Sequence, residues 1–439
     1  MRAYALLFLA LFIPFSYFNH SDGWNQGVRI AELHAIVIKG TLRIDDYLAY
    51  TGDRALIDGH YYSEKAPAMV LFALPSFALT VAVQRMFGID PDAPAAGRVS
   101  EWIATAASVG LVAALGGVAF FALLRTRFDA LTSVLATFGL FLGSITWPYA
   151  TSLFAHGGTI GLIAIALWGT LGPPSPRRDV LAGLAAGFAV ASEYPAIFPG
   201  AAIGLYLATL DPRRMWRYGL ATLPAAALIL VNNYAISGSP FELSYGSNPL
   251  FPELAATTSY GFSMPEAGAI RGLLWGEYRG LFFWSPVLLM SLPGFYYLFR
   301  KDRAVAVMTT VGCLLILLQA AAFYTWFGGN AVGPRYLAPV LPLIGFAAAY
   351  GIERWPEPGL LLGLISIGLM LAVTAIAIDP PGDVLTPLQS YYLVRFHEDR
   401  FADNLGTLLG APLWLSLIVP LMFPIVAAWH WLKEPAAGV

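Results

Sequence analysis

The chain has 439 residues, 58% hydrophobic and 12% charged, with a mean hydropathy of +0.66 and a formal net charge of −2. A soluble domain carries about 25% charged residues, so this is a polytopic membrane protein, and a charge so near zero gives no footing for nucleic-acid binding. Its single cysteine, Cys313, lies inside an apolar run, which excludes a disulfide framework and a thiolate metal centre.

The first element, MRAYALLFLALFIPFSYF, lacks an A-x-A-like cleavage site and reads as an uncleaved membrane helix. Arg2 ahead of it places the N-terminus in the cytoplasm and the next segment outside. That segment, 19–98, contains a helical stretch at Val28–Lys39 whose apolar Ile30, Leu33, Ile36 and Val37 suit a helix lying on the membrane surface. The following apolar run, Ala66–Gln84, is about long enough to span. If it crossed, the clusters at Arg125/Arg127, Arg177/Arg178 and Arg300/Lys301/Arg303 would fall outside. Read instead as a juxtamembrane or re-entrant helix broken by Pro67 and Pro75, it leaves those clusters in the cytoplasm with Arg213/Arg214/Arg217, Arg354 and Lys433.

Twelve spans follow: 3–18, 99–124, 130–147, 157–172, 180–194, 196–210, 218–236, 283–299, 305–324, 336–352, 358–378 and 411–432. The short pair 180–194 and 196–210 share the joint Glu193-Tyr-Pro195. Segments 19–98, 237–282, 325–335 and 379–410 remain outside. The expected fold is an all-α polytopic bundle of about 12 transmembrane helices, with juxtamembrane helices in the first outer loop. It divides into a helix-dense module, 1–236, and a module with larger outer loops, 237–439. No internal repeat or low-complexity segment is visible.

Polar residues gather in a few outer constellations. The first loop concentrates acids: Asp22, Glu32, Asp45, Asp46, Asp53, Asp58 and Glu64, followed by Lys65 and a Pro-bearing helix start. Carboxylates at a membrane surface act as general bases or hold a divalent metal, and a lysine neutralises a phosphate as a point charge. Tyr61 and Tyr62 suit stacking on a sugar, or an interfacial aromatic belt; a solvated loop with ordinary charges is the plain alternative. In Thr325-Trp-Phe-Gly-Gly-Asn-Ala-Val-Gly-Pro-Arg335, glycines allow close backbone approach to a ligand, and the arginine suits a phosphate at a helix start. A tight turn with a snorkelling arginine reads equally from the residues. His156, Glu193 and the Glu277/Arg279 pair stand at outer ends of expected spans. There is no Walker loop, no GxGxxG on a strand, no HExxH and no GxSxG, so soluble-nucleotide chemistry has no support. An outer site needs a donor available there, and a lipid-phosphate-linked donor meets that need.

With these motifs in place the chain resembles a family. Arg29-Ile-Ala-Glu32 and Gly59-His-Tyr-Tyr-Ser-Glu-Lys-Ala-Pro67 resemble the first extracytoplasmic loop of GT-C glycosyltransferases, which include bacterial lipid A aminoarabinose transferases and protein O-mannosyltransferases (the glycosyltransferase 39 group). Ser-Glu-Tyr-Pro195, Ser237-Gly-Ser-Pro-Phe241, Arg279-Gly-Leu-Phe and the Gly-Pro-Arg-Tyr-Leu337 stretch follow in the order seen in bacterial membrane proteins of that broad family, over about residues 1–345. The resemblance implies a GT-C helical bundle with its active site at the extracytoplasmic face of the bacterial plasma membrane. It implies transfer of a sugar from a polyprenyl-phosphate donor to an extracytoplasmic glycan, lipid or protein, with inversion. Lys65 matches the family lysine on donor phosphate, with Arg335 as its partner; Glu64 is the acid beside it. Substrate contacts are expected from Glu64, Tyr61, Tyr62, His156, Glu193 and Arg279. The family's Asp-Glu pair is replaced by Trp24-Asn-Gln-Gly27, which leaves Asp22, Asp46 and Asp53 as candidate bases. No cofactor is certain, and a divalent metal is compatible with the acids. A transporter or flippase of a lipid-linked substrate, and a GT-C-like scaffold without activity, are the alternative readings.

Overall fold

The structure is a computed structural model, and it describes residues 2–251 and 261–433. A helix stands at each of the twelve expected places. Seven helices are long and apolar enough to cross a membrane: Ala68–Met86, Pro94–Leu124, Pro212–Ser237, Arg303–Ala322, Arg335–Arg354, Pro356–Ile376 and Leu413–Lys433. At ~1.5 Å per residue, about 20 residues match ~30 Å of hydrocarbon. Shorter apolar helices, Arg2–Tyr17, Ala130–Phe141, Ala155–Leu171 and Tyr194–Leu210, complete the bundle with Pro176–Ser192 and Ser291–Lys301.

The two ends of the bundle are built differently, for reasons visible in the residues. At one end the turns are short. Asp129, Ser175, Asp211 and Asp302 each cap the next helix, their side chains accepting from the amides of Thr132, Arg178, Arg213 and Val305. The basic clusters sit at these same turns and contact one another. Arg127 donates to the Leu171 carbonyl at 3.0 Å, Arg214 pairs with Asp179 at 2.8 Å, and Lys301 lies 5.6 Å from the Tyr350 ring centre. At the other end the connections are long.

Helices pack closely where glycine removes the side chain. A Cβ on Gly116 would lie 2.3 Å from Cα of Gly161, which brings 94–124 hard against 155–171. Likewise Gly294 meets the Ala347 carbonyl and Gly351 that of Met290. One continuous apolar core draws on both halves of the chain, from Leu7 to Trp431, and the first and last helices touch through Tyr4 and Trp431 at 5.2 Å.

Two expectations about the first loop need correction. The stretch at Val28–Lys39 is not a surface helix. Trp24–His34 is a helix buried from Gln26 to His34, continuing into a wider π turn at Ala35–Lys39. Its polar Arg29, Glu32 and His34 find partners inside, which is why an amphipathic pattern alone misplaced it. Pro75 does not break the apolar run: Ala68–Met86 is one helix, started after Pro67. Its first turn packs against Gly158 through Met69, its middle carries Phe77 to His34, and Gln84 Nε2 donates to the Ala96 carbonyl at 2.8 Å. Trp102, further along the 94–124 helix, bonds the Ser16 carbonyl at the end of the first helix. Both ends of 68–86 therefore stay with the long connections, and none of these contacts reaches the basic turns.

Candidate active site

The long connections converge. Asn19 N donates to the Asp403 carbonyl at 2.9 Å and Val332 N to that of Ile378 at 3.0 Å. His20 Nδ1 and Thr151 Oγ1 lie 2.8 Å apart, and Asn248 Nδ2 donates to Glu64 Oε2 at 2.7 Å. Segments far apart in sequence thus form one platform over the bundle.

A small antiparallel hairpin delivers the lysine. Strands Arg54–Ile57 and His60–Ser63 pair through a two-residue turn at Asp58-Gly59, both with positive φ (49° and 79°). Asp-Gly is the usual signal for that turn, because its twist matches the strands. Asp45 clamps the hairpin from outside, accepting from the Tyr61 amide at 2.8 Å and lying 2.9 Å from His60 Nδ1. The strand then runs into Glu64-Lys65, both buried.

Lys65 Nζ lies 3.0 Å from Asp53 Oδ2 and 2.6 Å from Glu64 Oε1, with the Tyr245 ring 5.1 Å away. Burial disfavours its charge, but the two carboxylates outweigh burial and push its pKa up, so it is a firm cation. Two of its three N–H donors are engaged, leaving one. Burial pushes the Glu64 carboxyl up, against the pull of Lys65. Glu32, buried beside Arg29, is pushed up to about 7 by burial despite a bond from Ser63.

Two connected hollows open here. The larger, about 900 Å³, is polar: Asp22, Asp53, Glu64, Glu101 and Asp379 line it with Lys65, Arg98 and Arg335. The smaller, about 530 Å³, is mostly apolar, walled by Pro195, Phe198, Leu243, Phe262 and Phe323, and carries Arg29, His156, Glu193 and Gln319. Asn25, Lys65, Tyr245, Phe323, Arg335 and Tyr336 belong to both, so the lobes meet at the two cations.

Arg335 opens the 335–354 helix. Its guanidinium lies 5.4 Å from the Phe154 ring centre and 5.2 Å from that of Tyr336. Gly328, at φ 78°, admits it: a Cβ there would stand 2.7 Å from Arg335 Nε. That glycine makes room for the arginine itself rather than for a ligand. Arg335 Nε and Arg29 Nε, and both ring nitrogens of His156, are buried in or beside the apolar lobe with no hydrogen-bond partner, and the two guanidinium donors suit an anion.

The other expected residues divide. Asp22 and Asp53 line the polar lobe, as does Glu64; His156 and Glu193 line the apolar one. Asp46 is exposed and pairs with Lys39 at 3.4 Å, away from both. Tyr61 stacks under Arg54 at 4.9 Å, and Tyr62 is buried in the hairpin; neither lines a lobe. Arg279 is fully buried and donates to the carbonyls of Phe327, Tyr278 and Gly329 at 2.7–2.8 Å, bracing the 325–335 loop from behind.

Sequence reasoning missed three contributors. Glu101 fell inside an expected span, where an ionisable residue is itself a signal. Tyr245 follows the Ser-Pro-Phe241 loop. Asp379 begins Asp-Pro-Pro-Gly at the end of a span, and its loop is pinned by Asn330 Oδ1, which accepts from Gly382 N at 2.8 Å. Burial, then repulsion from Asp22, pushes the Asp379 carboxyl up to about 7. Among the described residues no group of three His, Cys, Asp or Glu side chains is placed to hold a metal ion, so those residues do not fit one.

No protein-family model matches the chain, and no curated protein matches it. Among solved structures it is similar to ArnT from Cupriavidus metallidurans bound to undecaprenyl phosphate, at 19% identity and a TM-score of 0.50, covering 98% of this chain and 76% of that one. The chain has the GT-C fold. The archaeal oligosaccharyltransferase AglB from Archaeoglobus fulgidus, in complex with an inhibitory peptide and a dolichol-phosphate, aligns at 13% identity and a TM-score of 0.49 over 100% of this chain and 56% of that one. In this GT-C bundle the long connections build the two-lobed hollow, and the basic turns lie at the far end.

Proposed function

We propose that this chain is a glycosyltransferase of the bacterial plasma membrane, moving a sugar from a polyprenyl-phosphate donor to an acceptor hydroxyl on the extracytoplasmic side. The observation that carries the reading is the junction: an apolar lobe and an acid-lined lobe meet at Lys65 and Arg335. A polyprenyl tail suits the first lobe, a sugar and its acceptor the second, and a phosphate the two cations between them. The positive-inside rule puts the basic turns in the cytoplasm and this hollow outside.

The base is the Asp22–Asp379 pair. Burial, with the Asp22 charge nearby, brings the Asp379 carboxyl to about 7, the range a general base needs. The pair removes the acceptor's proton as its oxygen attacks the anomeric carbon. The bond from that carbon to the phosphate oxygen breaks, and the electron pair leaves with the phosphate. Lys65, Arg335 and Arg29 stabilise the charge that develops there, in a site poorer in water than bulk. One displacement inverts the anomeric centre. Asp53 holds Lys65 in place until the donor phosphate takes its free donor.

The test is sugar transfer from a polyprenyl-phosphate-sugar donor to lipid or glycan acceptors by the purified protein, with NMR of the product's anomeric configuration. K65A and R335A are expected to lose about 100-fold or more, the scale of removing a group that stabilises developing charge. Full activity in both variants, or retention of configuration, contradicts the mechanism.

A further inference from the structure

His156 and Glu193 come from different helix ends. His156 is in the first turn of 155–171, and Glu193 sits in the break between 176–192 and 194–210. His156 Nδ1 is in direct contact with Glu193 Oε1. The far nitrogen, Nε2, faces no carboxylate and is buried with no hydrogen-bond partner. The imidazole is fixed by Tyr149, edge-on at 5.0 Å, and by Phe154, stacked at 5.1 Å. Arg335 stands over the same Phe154 ring at 5.4 Å. One aromatic ring thus sets both the imidazole and the guanidinium, and both residues line the apolar lobe, Arg335 where it meets the polar one. A carboxylate behind an imidazole, with the far nitrogen free, is the arrangement of a proton-carrying histidine.

We propose that His156, held by Glu193, is the acid that delivers a proton to the lipid phosphate as it leaves the sugar. This rests on the transfer reading above and adds a group to it. The donor's phosphodiester carries one negative charge. When the anomeric carbon–oxygen bond breaks, its electron pair stays on the phosphate, which becomes a monoester dianion with a second pKa of about 6. The Nε2 proton moves to that oxygen, while the acceptor's proton passes to the Asp22–Asp379 pair. One proton is taken on the acceptor side and one is given on the donor side, so charge balances. Glu193 stabilises the imidazolium before transfer. Burial and the facing Arg335 and Arg29 charges oppose it, and the Tyr149 ring stands edge-on beside it.

The product lipid monophosphate provides a test that does not depend on the unknown sugar. Binding of undecaprenyl phosphate to the purified full-length protein in detergent is measured at about pH 5.5, because burial, Arg335 and Arg29 oppose the ring's charge, and at about pH 9, where an imidazole is neutral. Thermal melting of each variant checks folding. H156Q is expected to bind about tenfold more weakly than wild type at the lower pH, the value of one charge-assisted hydrogen bond, and equally at the higher pH. E193Q keeps the ring but not its counter-charge, so it loses most of the same advantage and carries the comparison if H156Q does not fold. Variants equal to wild type at both pH values overturn the proposal, as does weakening by the same factor at both, because a ring that only fills space acts at every pH. In either case the donor reading stands on wild-type binding. No wild-type binding at all overturns the donor reading and this proposal with it.

Discussion

At the scale of single residues, the acids separate by surroundings more than by position in sequence. Asp46 and Asp53 look alike in the chain, yet one pairs with Lys39 in solvent and the other with buried Lys65. Asp379 enters the proposed base only because its loop folds back toward Asp22. In an H156Q background, which removes the donor-side acid, transfer is therefore expected to rise with pH through about 7, following the Asp379 carboxyl, and adding D379N is expected to remove that limb and cost about 100-fold in rate, the lower range for general-base loss. A pH–rate profile checks this, and an unchanged limb in D379N speaks against the pair. Glu32 gives a stability counterpart. Its carboxyl is pushed from the ordinary 4.5 to about 7, so between those values the folded chain holds a proton that the unfolded chain has released. More protons bound in the folded state means stability falls as pH rises through that window. E32Q stays neutral and escapes the loss, so its melting-temperature advantage over wild type is expected to grow from about pH 4.5 to about pH 8. A pH-independent difference contradicts it. Lys65, Arg335, His156 and Glu193 stood out in the sequence as candidates because charged residues are costly in an apolar chain, and all four line the hollow. Asp379 did not, because no local pattern shows which distant loop it will meet.

At the scale of elements, helices were legible almost everywhere, since long apolar runs between Pro, Asp and Gly leave the backbone few alternatives. The hairpin was not recognised, although Asp58-Gly59 is its turn signal, because strands of four residues are too short for a clear alternation. It matters because it aims Lys65. Gly59 has positive φ, and a Cβ there would meet no atom within 4 Å, so its requirement is backbone conformation alone. G59A is expected to cost about 1 kcal/mol in stability and to lower transfer, whereas G219A, equally open but at ordinary φ, is expected to be neutral or slightly stabilising. Equal behaviour of the two variants contradicts the role given to the turn. The helix 68–86 has its own test. Phe87 just beyond it is 77% exposed. In a C313S background F87C is expected to react with a membrane-impermeant thiol reagent added outside; labelling only from the cytoplasmic side means that the helix crosses.

At the scale of the whole molecule, a bundle with capped basic turns at one end and long, interlocked connections at the other puts all its unspent polarity in one place. The sequence pattern carried the division into ends, because basic clusters and acidic loops alternate along the chain. It did not carry the two lobes, which need segments far apart in sequence to meet. The account stands on the donor's place in that hollow. The most direct measurement is a structure of the protein with undecaprenyl phosphate bound. The account predicts the phosphate within hydrogen-bond reach, about 3 Å, of Lys65 Nζ and the Arg335 guanidinium, with the prenyl chain running past Phe198, Leu243 and Phe262. A phosphate away from both cations, or a prenyl chain lying in the acid-lined lobe, would contradict it.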